Sequence, residues 1–433
     1  MRRALPLVLM LALGAPAAAA AQVGADSTWM DHNHAAAKAY KIGDFSTFRA
    51  QLLSMRRDIG PLPSIDYNLA VAEARLGNGD RALEWLEIFA GMGVWEDAAR
   101  DSDLASLRAL GGYARVSQLL AANLVPVARG AVAFTLPDAD MIAEDIAYDS
   151  VRHRFLVSSV RRRKIVAVDS AGHATDFTRS GADSTWGMFA VHVDAARQVL
   201  WATTAAINAA QGYTPADSGR SALLAYDLAT GALRARLEAP DPAHAHVLGD
   251  MTVGADGTVY VSDAVSGAVY TAAPGAHALA VLVPEGTFPS PQTPALSADE
   301  KRLFVADYAL GVAVIDLATH AVRWLPHPGS VTLVGTDGLY RVGNTLLAVQ
   351  NGTTPNRVVR VLLDTAMTRV LDAEVLERAK PAVSDPTHGV MVGPTFYFIA
   401  RSGWDRVHDD GTLAPGGADD APLVRRLDLL PFP

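Results

Sequence analysis

Acidic residues stand near both ends of the stretch GDMTVGADGTVYVSD, residues 249–263. Asp250 lies at its start and Asp263 at its end, and apolar residues flank Asp256-Gly257 on both sides. This pattern predicts a β-hairpin with a type I′ turn, because Asp-Gly tolerates the positive φ angles of that turn. The two ends of a hairpin lie side by side, so we expect the two carboxylates to be neighbours. Neighbouring carboxylates repel unless a cation or a shared proton offsets them, which points to cation binding or acid–base chemistry.

The same hairpin pattern recurs along the chain. Its copies are 144–159, 189–204, 249–263, 292–307, 337–351 and 388–401. A further strand such as KIVAVDS or VAVIDLATH follows most copies. Repeats of about 40 to 50 residues, each of three or four strands, predict a β-propeller, here with six blades over 130–425. The run GAVAFTLPD, 130–138, is placed to supply the outer strand of the last blade and so close the ring.

This architecture predicts where the polar side chains gather. The first strand of each blade lines the central channel and the second returns beside it, so the start of one and the end of the other share one face of the disc. Oxygen-rich ligand sets there suit Ca²⁺, Mg²⁺ or Mn²⁺, and an imidazole shifts the preference toward Zn²⁺. The aligned copies place at this channel mouth Glu144, Phe189, Gly249, Gln292, Asp337 and His388, then Asp145, Asp250 and Thr293, and on the returning strands Ser159, Asp263, Asp307, Gln350 and Asn351.

Acids near strand ends also have a purely structural use, which is to cap turns. We expect that use for Asp149, Asp194 and Asp299, and we favour it for Asp263 and Asp307. A separate His-x-His pair, His244 and His246, precedes Asp250. In an extended segment both rings would point to one side and could bind a metal, and the alternative is an exposed polar loop.

The propeller is preceded by a stretch of helical periodicity, which predicts a helical domain over 30–125. Two segments share a layout of an alanine-rich helix, a Gly-Asp turn and an amphipathic helix. The Gly43-Asp44 and Gly79-Asp80 pairs are separated by about the tetratricopeptide period of 34 residues. Such repeats either bind a peptide or protein partner or serve as a packing domain.

Composition sets further bounds on function. The chain has 433 residues, no cysteine and a formal net charge of -9. The acidic excess argues against nucleic acid as a partner, because phosphate neutralisation requires a basic surface. Two arginines, a short apolar run and small residues at the start predict a signal peptide over 1–21, and hence a periplasmic or secreted protein with no membrane span. Cysteine chemistry is excluded, and no P-loop, G-x-S-x-G or H-E-x-x-H motif occurs.

The region from about 143 to 405 resembles the family of regucalcin, gluconolactonase and luciferin-regenerating enzyme. The resemblance implies a divalent metal at the channel mouth, held by a Glu, two Asn and an Asp. Glu144 matches the Glu, and Asp337 in DGLY matches the Asp, which the resemblance implies is also the base in lactone opening. The Asn positions depart from the family: one is Gly249, beside Asp250, and the other is Gln292.

Two functions follow as hypotheses. In the first, the protein is a metal-dependent, lactonase-type hydrolase of a small molecule. Its predicted metal ligands are Glu144, Gln292, Asp337 and Asp250, with Asp337 as catalytic base and with His388, Asn351 and Gln350 contacting the ligand. In the second, the protein is a non-enzymatic scaffold or sensor whose helical repeats recruit a protein partner. The replaced Asn positions and the apolar Phe189 favour the second hypothesis, and fold alone does not decide between them.

Overall fold

The computed structural model describes residues 28–169, 171–378, 381 and 383–429. The predicted signal peptide, 1–21, lies outside the described residues. The chain divides into two compact units, one comprising the described residues up to Val125 together with Pro326–Thr332, and the other the rest from Pro126 onward. We call them the helical unit and the propeller unit. No helix in the described part of the chain is both long and apolar enough to cross a membrane.

The helical unit consists of two helical hairpins and a closing segment. In the first hairpin Gly43 ends α1 with φ 79°, and the side chain of Asp44 caps α2 by accepting from Thr47 N at 3.0 Å. The second Gly-Asp pair is placed differently, because Gly79 already begins α4 and the left-handed turn falls on Gly77, with φ 83°. The helices are α1 Trp29–Ile42, α2 Phe45–Ile59, α3 Pro63–Arg75, α4 Gly79–Gly91 and α5 Tyr113–Ala122, with a 3₁₀ helix at Ser102–Ala109.

The propeller unit contains six antiparallel sheets, as the repeat predicted. The strands are β1 Val127–Ala128, β2 Ala131–Thr135, β3 Ala143–Asp149, β4 Arg154–Ser159, β5 Lys164–Val168, β6 Ala174–Asp176, β7 Gly187–Asp194, β8 Val199–Ala205, β9 Ser221–Asp227, β10 Leu233–Glu238, β11 Leu248–Val253, β12 Val259–Asp263, β13 Val269–Ala272, β14 Ala280–Val283, β15 Pro291–Leu296, β16 Arg302–Asp307, β17 Gly311–Asp316, β18 Val322–Trp324, β19 Thr336–Val342, β20 Thr345–Gln350, β21 Arg357–Leu363, β22 Val370–Arg378, β23 Gly389–Val392, β24 Thr395–Arg401 and β25 Leu423–Asp428.

The order of strands within the sheets makes this a six-bladed β-propeller. The first four blades are β3–β6, β7–β10, β11–β14 and β15–β18 in sequence order. The fifth is β19–β22 with β1 added at its outer edge, and the sixth is β23, β24, β25 and β2. The predicted ring closure by 130–138 is therefore confirmed, because β2 forms the outer strand of the last blade. The first strands contact one another around the ring, β3 with β7, β7 with β11, β11 with β15, β15 with β19 and β23 with β3.

The hairpin of 249–263 forms, but its turn differs from the predicted type I′ geometry. Gly257 has φ 89°, while Asp256 is not among the residues with positive φ, so the turn is a type I turn followed by a glycine bulge. Gly257 N donates to Gly254 O at 2.9 Å, and Gly254 N donates to Thr258 O at 2.8 Å. Asp256 stabilises this five-residue turn through its side chain, which accepts from Thr258 N at 2.8 Å. The extra residue accommodates Asp256 without the strained φ that type I′ demands.

Packing between blades uses the faces of the second and third strands. Thr345–Gln350, the second strand of blade five, is buried at every position, because neighbouring blades cover both of its faces. Between the last and first blades Phe155 contacts Tyr148 and Tyr397, with ring centroids 4.9 and 4.8 Å apart. These faces fix the blades, so the first strands are held as a rigid wall around the channel.

Candidate functional site

The candidate site lies at the end of the channel where the first strands begin. Glu144 is the second residue of β3, Asp337 the second of β19 and Asp250 the third of β11, and His388 directly precedes β23. Because all first strands run the same way along the channel, these residues share one level of the disc. One ligand atom from each of Glu144, Asp337 and His388 lies within 4.8 Å of the others, and all three are buried.

β-Bulges at the start of the first strands aim the side chains of this site. The pairing of first and second strands shifts between Ala143 and Ile146, between Leu248 and Asp250, and between Thr336 and Gly338. The same irregularity occurs at the start of β7 and of β15. A bulge leaves a residue out of the ladder and turns its side chain away from the usual alternation. Glu144 and Asp337 both occupy such positions, which is why consecutive residues can face the channel.

Hydroxyl side chains on the second strands hold these bulges in place. Ser158 Oγ accepts from Asp145 N at 2.9 Å and donates to Phe189 O of the next blade at 2.5 Å. Thr203 Oγ1 accepts from Ala190 N at 2.9 Å and donates to Gly249 O at 3.2 Å. Each hydroxyl thus satisfies backbone groups freed by two successive bulges, which fixes the relative position of neighbouring first strands.

His388 is the centre of the cluster. Its Nε2 lies 2.6 Å from Oδ1 of Asp250 and 3.7 Å from Oδ1 of Asp337. Its Nδ1 lies 3.0 Å from the backbone oxygen of Glu144, and a carbonyl can only accept, so Nδ1 carries a proton and donates. Among the described residues Nε2 has no hydrogen-bond partner of good geometry, but at 2.6 Å it forms an ion pair with Asp250 when the imidazole is protonated. A histidine held through Nδ1 by a carbonyl, with Nε2 pointed at carboxylates, has the arrangement of a metal-binding histidine.

The carboxylates around His388 are held by few other groups. Asn351 Nδ2 donates to Oδ2 of Asp337 at 2.6 Å, and Trp404 Nε1 donates to Oε2 of Glu144. Two buried oxygens nearby, Asn351 Oδ1 and Thr293 Oγ1, have no hydrogen-bond partner in the part of the chain that the structure describes. An orphaned buried oxygen is costly unless a ligand or water satisfies it, so these atoms fit a bound cation or polar ligand.

The charge balance of the cluster is unfavourable in the absence of a cation. Burial raises the pKa of Glu144 to about 8, and the neighbouring Asp337 carboxylate adds to that rise. Burial likewise raises the pKa of Asp337 to about 6 and that of Asp145 to about 7. Burial alone would lower the pKa of His388, but Asp250 and Asp337 outweigh it and raise that pKa well above its ordinary value. The cluster therefore retains protons near neutrality, because one imidazolium cannot offset four buried carboxylates.

A cavity of about 430 Å³ continues along the channel from this cluster. Asp145, Asp250, Thr293 and His388 line its polar end, and further along its walls carry His192 and other residues of the first strands. Burial lowers the pKa of His192 to about 4, so this imidazole is neutral at pH 7. Asp145 is tied into the wall, since its Oδ1 and Oδ2 accept from the backbone of Ile146 at 2.7 Å and Val191 at 2.8 Å.

The structure does not gather every residue predicted for the site. Gln350 is fully buried in its own blade, where Nε2 donates to Val334 O at 3.0 Å and Oε1 accepts from Arg357 at 2.7 Å. Gln292 uses its amide nitrogen within its own loop, donating to Ser290 Oγ at 3.1 Å. Phe189 packs in an apolar cluster with Ile142 and others rather than standing free at the mouth.

Several acids prove to be turn caps, as we expected. Asp307 accepts backbone hydrogen bonds from Ser290 at 2.8 Å, Ala309 at 3.0 Å and Leu310 at 2.9 Å. Asp149, Asp194 and Asp299 each accept from backbone amides two or three residues ahead.

Asp263 does not face the channel, so the prediction that both acids of the 249–263 hairpin lie at the channel mouth is wrong. Its carboxylate accepts from backbone amides of its own loop and lies 2.6 Å from Nδ1 of His246. His246 Nε2 lies 3.1 Å from Asp241 O, so both ring nitrogens are engaged within this loop. His244 instead lies near Asp241 and Glu285. The two histidines therefore have different partners and do not form a shared metal site. The bulge at Gly249 turns Asp250, and not Asp263, toward the channel.

Two residues of the site escaped the sequence reasoning. Trp404 lies in the loop after β24, and Tyr340 Oη accepts from Gly389 N at 2.7 Å beside His388. Trp404 lies only three residues after the last hairpin copy. Extending each copy by a few residues would therefore have included Trp404 among the candidate site residues. Tyr340 lies in the middle of β19, and nothing in the sequence distinguishes it from the other residues of that strand.

Comparisons with known proteins return solved structures of low sequence identity. No family model matches the chain, and no curated protein matches it. A calcium-binding protein, regucalcin, from Agrobacterium tumefaciens is 16% identical, with a TM-score of 0.47 over 70% of this chain and 95% of that one. A gluconolactonase from Xanthomonas campestris is 16% identical, with a TM-score of 0.43 over 65% and 85% of the two chains. A luciferin-regenerating enzyme is 13% identical, with a TM-score of 0.43 over 70% and 94%. The similarity found for each is one of propeller fold.

Proposed function

We propose that this protein binds a divalent cation at the channel mouth and hydrolyses a small cyclic ester there. The observation that carries the proposal is the gathering of three buried carboxylates around one buried imidazole: Glu144 and Asp337 each place a ligand atom within 4.8 Å of His388, and Asp250 lies 2.6 Å from its Nε2. Buried acids of like charge need a counter-charge, and oxygen donors with one imidazole suit Mn²⁺, Zn²⁺ or Ca²⁺. The proposed ligands are Glu144, Asp337, Asp250 and His388.

The donor set fits a cation and departs from the one that the sequence resemblance implied. Gly249 offers no side chain, and the neighbouring Asp250 supplies a carboxylate, while His388 adds an imidazole. At the other Asn position, the Gln292 amide nitrogen donates to Ser290, which leaves its amide oxygen to face a cation. More anionic donors and a nitrogen ligand favour Mn²⁺ or Zn²⁺ over Ca²⁺. A bound cation would polarise the carbonyl group of the ester.

The chain's own residues supply the proton transfer. Asp337 is the proposed base: it accepts the proton of the water that attacks the ester carbonyl and returns it to the ring oxygen when the C–O bond breaks. Asn351 orients Asp337 by holding Oδ2, so that Oδ1 faces the cluster. The adjoining cavity of about 430 Å³ has room for a small substrate.

The test is a titration of the purified protein with Mn²⁺, Zn²⁺ and Ca²⁺ by calorimetry, alongside a lactone-hydrolysis assay. We expect Asp337→Asn to preserve the fold, weaken cation binding at least 100-fold and abolish hydrolysis. Asp307→Asn is the matched control, because that buried acid caps a turn and should leave cation affinity unchanged. A wild type that binds none of these ions would refute the cation site and leave a non-enzymatic scaffold or sensor.

Two further parts of the proposal concern the rest of the chain. The arginines and apolar run of the first 21 residues support export to the periplasm or outside the cell. The two helical hairpins, α1–α2 and α3–α4, support binding of a peptide or protein partner by the helical unit. Mass spectrometry of the native protein tests the first, since an intact Met1 would contradict export. Affinity capture with the helical unit's surface charges reversed, against the wild type, tests the second.

A further inference from the structure

A well-built loop adjoins the channel mouth. We call residues 402–414, which follow β24, the Trp404 loop. The carboxylate of Asp385 holds its start, accepting from Ser402 N at 3.1 Å, Gly403 N at 3.0 Å and Asp405 N at 3.2 Å. Arg406 fixes its middle by donating to Ala139 O at 2.7 Å and to Ala414 O, also at 2.7 Å. These hydrogen bonds to the charged side chains of Asp385 and Arg406 hold the loop in one conformation.

The loop places one side chain against a proposed cation ligand. Trp404 Nε1 donates to Oε2 of Glu144, across 260 positions of sequence. The indole ring packs against an apolar cluster that includes Ile142, Val160 and Phe189, so the ring cannot follow the carboxylate if the latter moves. A rigid donor of this kind fixes one of the two carboxylate oxygens and leaves Oε1 of Glu144 for another partner.

We infer that Trp404 is a positioning residue, which holds Glu144 in the one orientation that serves a cation at the channel mouth. A free glutamate side chain has three rotatable bonds, and fixing them costs entropy at the moment of binding. Trp404 removes that cost in advance, as outer hydrogen-bond partners of metal ligands commonly do. The inference rests on the proposed function for its cation, but the contact itself does not depend on any cation.

The first experiment tests the contact in the cation-free protein. With ¹⁵N-labelled tryptophan, the indole N–H resonance of Trp404 is assigned from its loss in Trp404→Phe. We expect it to shift in Glu144→Gln, where an amide oxygen replaces the carboxyl oxygen as acceptor, and to exchange faster with solvent in Glu144→Ala. The Trp201 indole is the internal control, because its buried Nε1 has no hydrogen-bond partner within the described structure. A Trp404 resonance that ignores both changes at Glu144 would overturn the inference.

The second experiment is a double-mutant cycle on Mn²⁺ affinity. Trp404→Phe should weaken Mn²⁺ binding about tenfold in the wild-type background. In the Glu144→Ala background the same change should have less than a twofold effect, because nothing remains to be positioned. Trp201→Phe should leave affinity unchanged in both backgrounds. An equal loss in both backgrounds would refute the role of Trp404 alone, whereas a wild type without any Mn²⁺ affinity would refute the proposed function instead.

Discussion

The cation-free protein should lose stability as the pH rises from 5 to 8. Burial raises the pKa of Glu144 from 4.5 to about 8, so over this range the folded protein holds a proton that the unfolded chain releases. His388 acts in the same direction, because its pKa is raised well above the ordinary value and its stabilising charge is lost as pH rises through that pKa. Each such proton changes the free energy of unfolding by about 1.4 kcal/mol per pH unit.

For Glu144 alone, the expected loss between pH 5 and pH 8 is about 4 kcal/mol, or roughly 5 °C in Tm for a protein of this length. The assay is urea unfolding in the presence of chelator at pH 5, 6, 7 and 8. Glu144→Gln should flatten the slope by about one proton, since glutamine does not titrate. Glu238→Gln, at an exposed position of β10, should leave the slope unchanged. Added Mn²⁺ should reverse the trend in the wild type, because cations bind the deprotonated ligands.

An identical slope for wild type and Glu144→Gln would refute the reasoning, since it would mean that Glu144 ionises as an ordinary carboxylate. A steeper fall of the free energy of unfolding with pH in Glu144→Gln would also refute the reasoning. It would indicate that the fold stabilises the charged form of Glu144 and that the cluster needs no further counter-charge.

Two further predictions concern the surroundings of the site. Gly257→Ala should lower the free energy of unfolding by about 2 kcal/mol, because φ is 89° and the Arg197 guanidinium, 2.4 Å from the added Cβ, must leave its contacts with Asp194 and Ala255. Gly275→Ala, with φ 78° and open space, should lower it by only about 1 kcal/mol in the same urea titration. His246→Ala should destabilise the protein by about 3 kcal/mol by stranding the buried Asp263, yet leave Mn²⁺ affinity unchanged in calorimetry, and a lost affinity would show that this loop belongs to the site.

The sequence was sufficient to predict the blades and their closure. Hairpins with period-2 alternation at regular spacing require repeated small sheets, and an unpaired run before the first copy must pair with the last. The strand pattern therefore determined that β2 completes the sixth blade. The sequence did not predict that Pro326–Thr332, which lies between β18 and β19, would group with the helical unit. A short connection between two blades has no periodicity from which its position could be predicted.

Side-chain directions at the channel mouth were harder to predict, because each depends on a bulge. A bulge shifts the alternation by one residue, and a sequence alignment cannot see the shift. The hairpin pattern placed both Asp250 and Asp263 at the channel mouth, although turn capping was favoured for Asp263. The bulge at Gly249 turns only Asp250 inward, and Asp263 caps its turn. Gln350 and Asn351 illustrate the same effect: Gln350 remains paired with Thr336 in the ladder, while Asn351, one residue on, reaches Asp337.

The buried acids fall into two groups according to their hydrogen-bond partners, and the difference is relevant to function. Asp307 accepts hydrogen bonds from three backbone amides, so the turn that it caps is sufficient to explain its place in the fold. Asp250 and Asp337 instead face each other across His388, an arrangement that costs stability and that apolar residues would avoid. A single imidazolium offers one positive charge to four carboxylates, which leaves the cluster holding protons near neutrality. A divalent cation would displace those protons and offset the charges of the carboxylates. Apolar residues of similar size in place of these acids should therefore stabilise the cation-free protein and abolish the proposed cation binding.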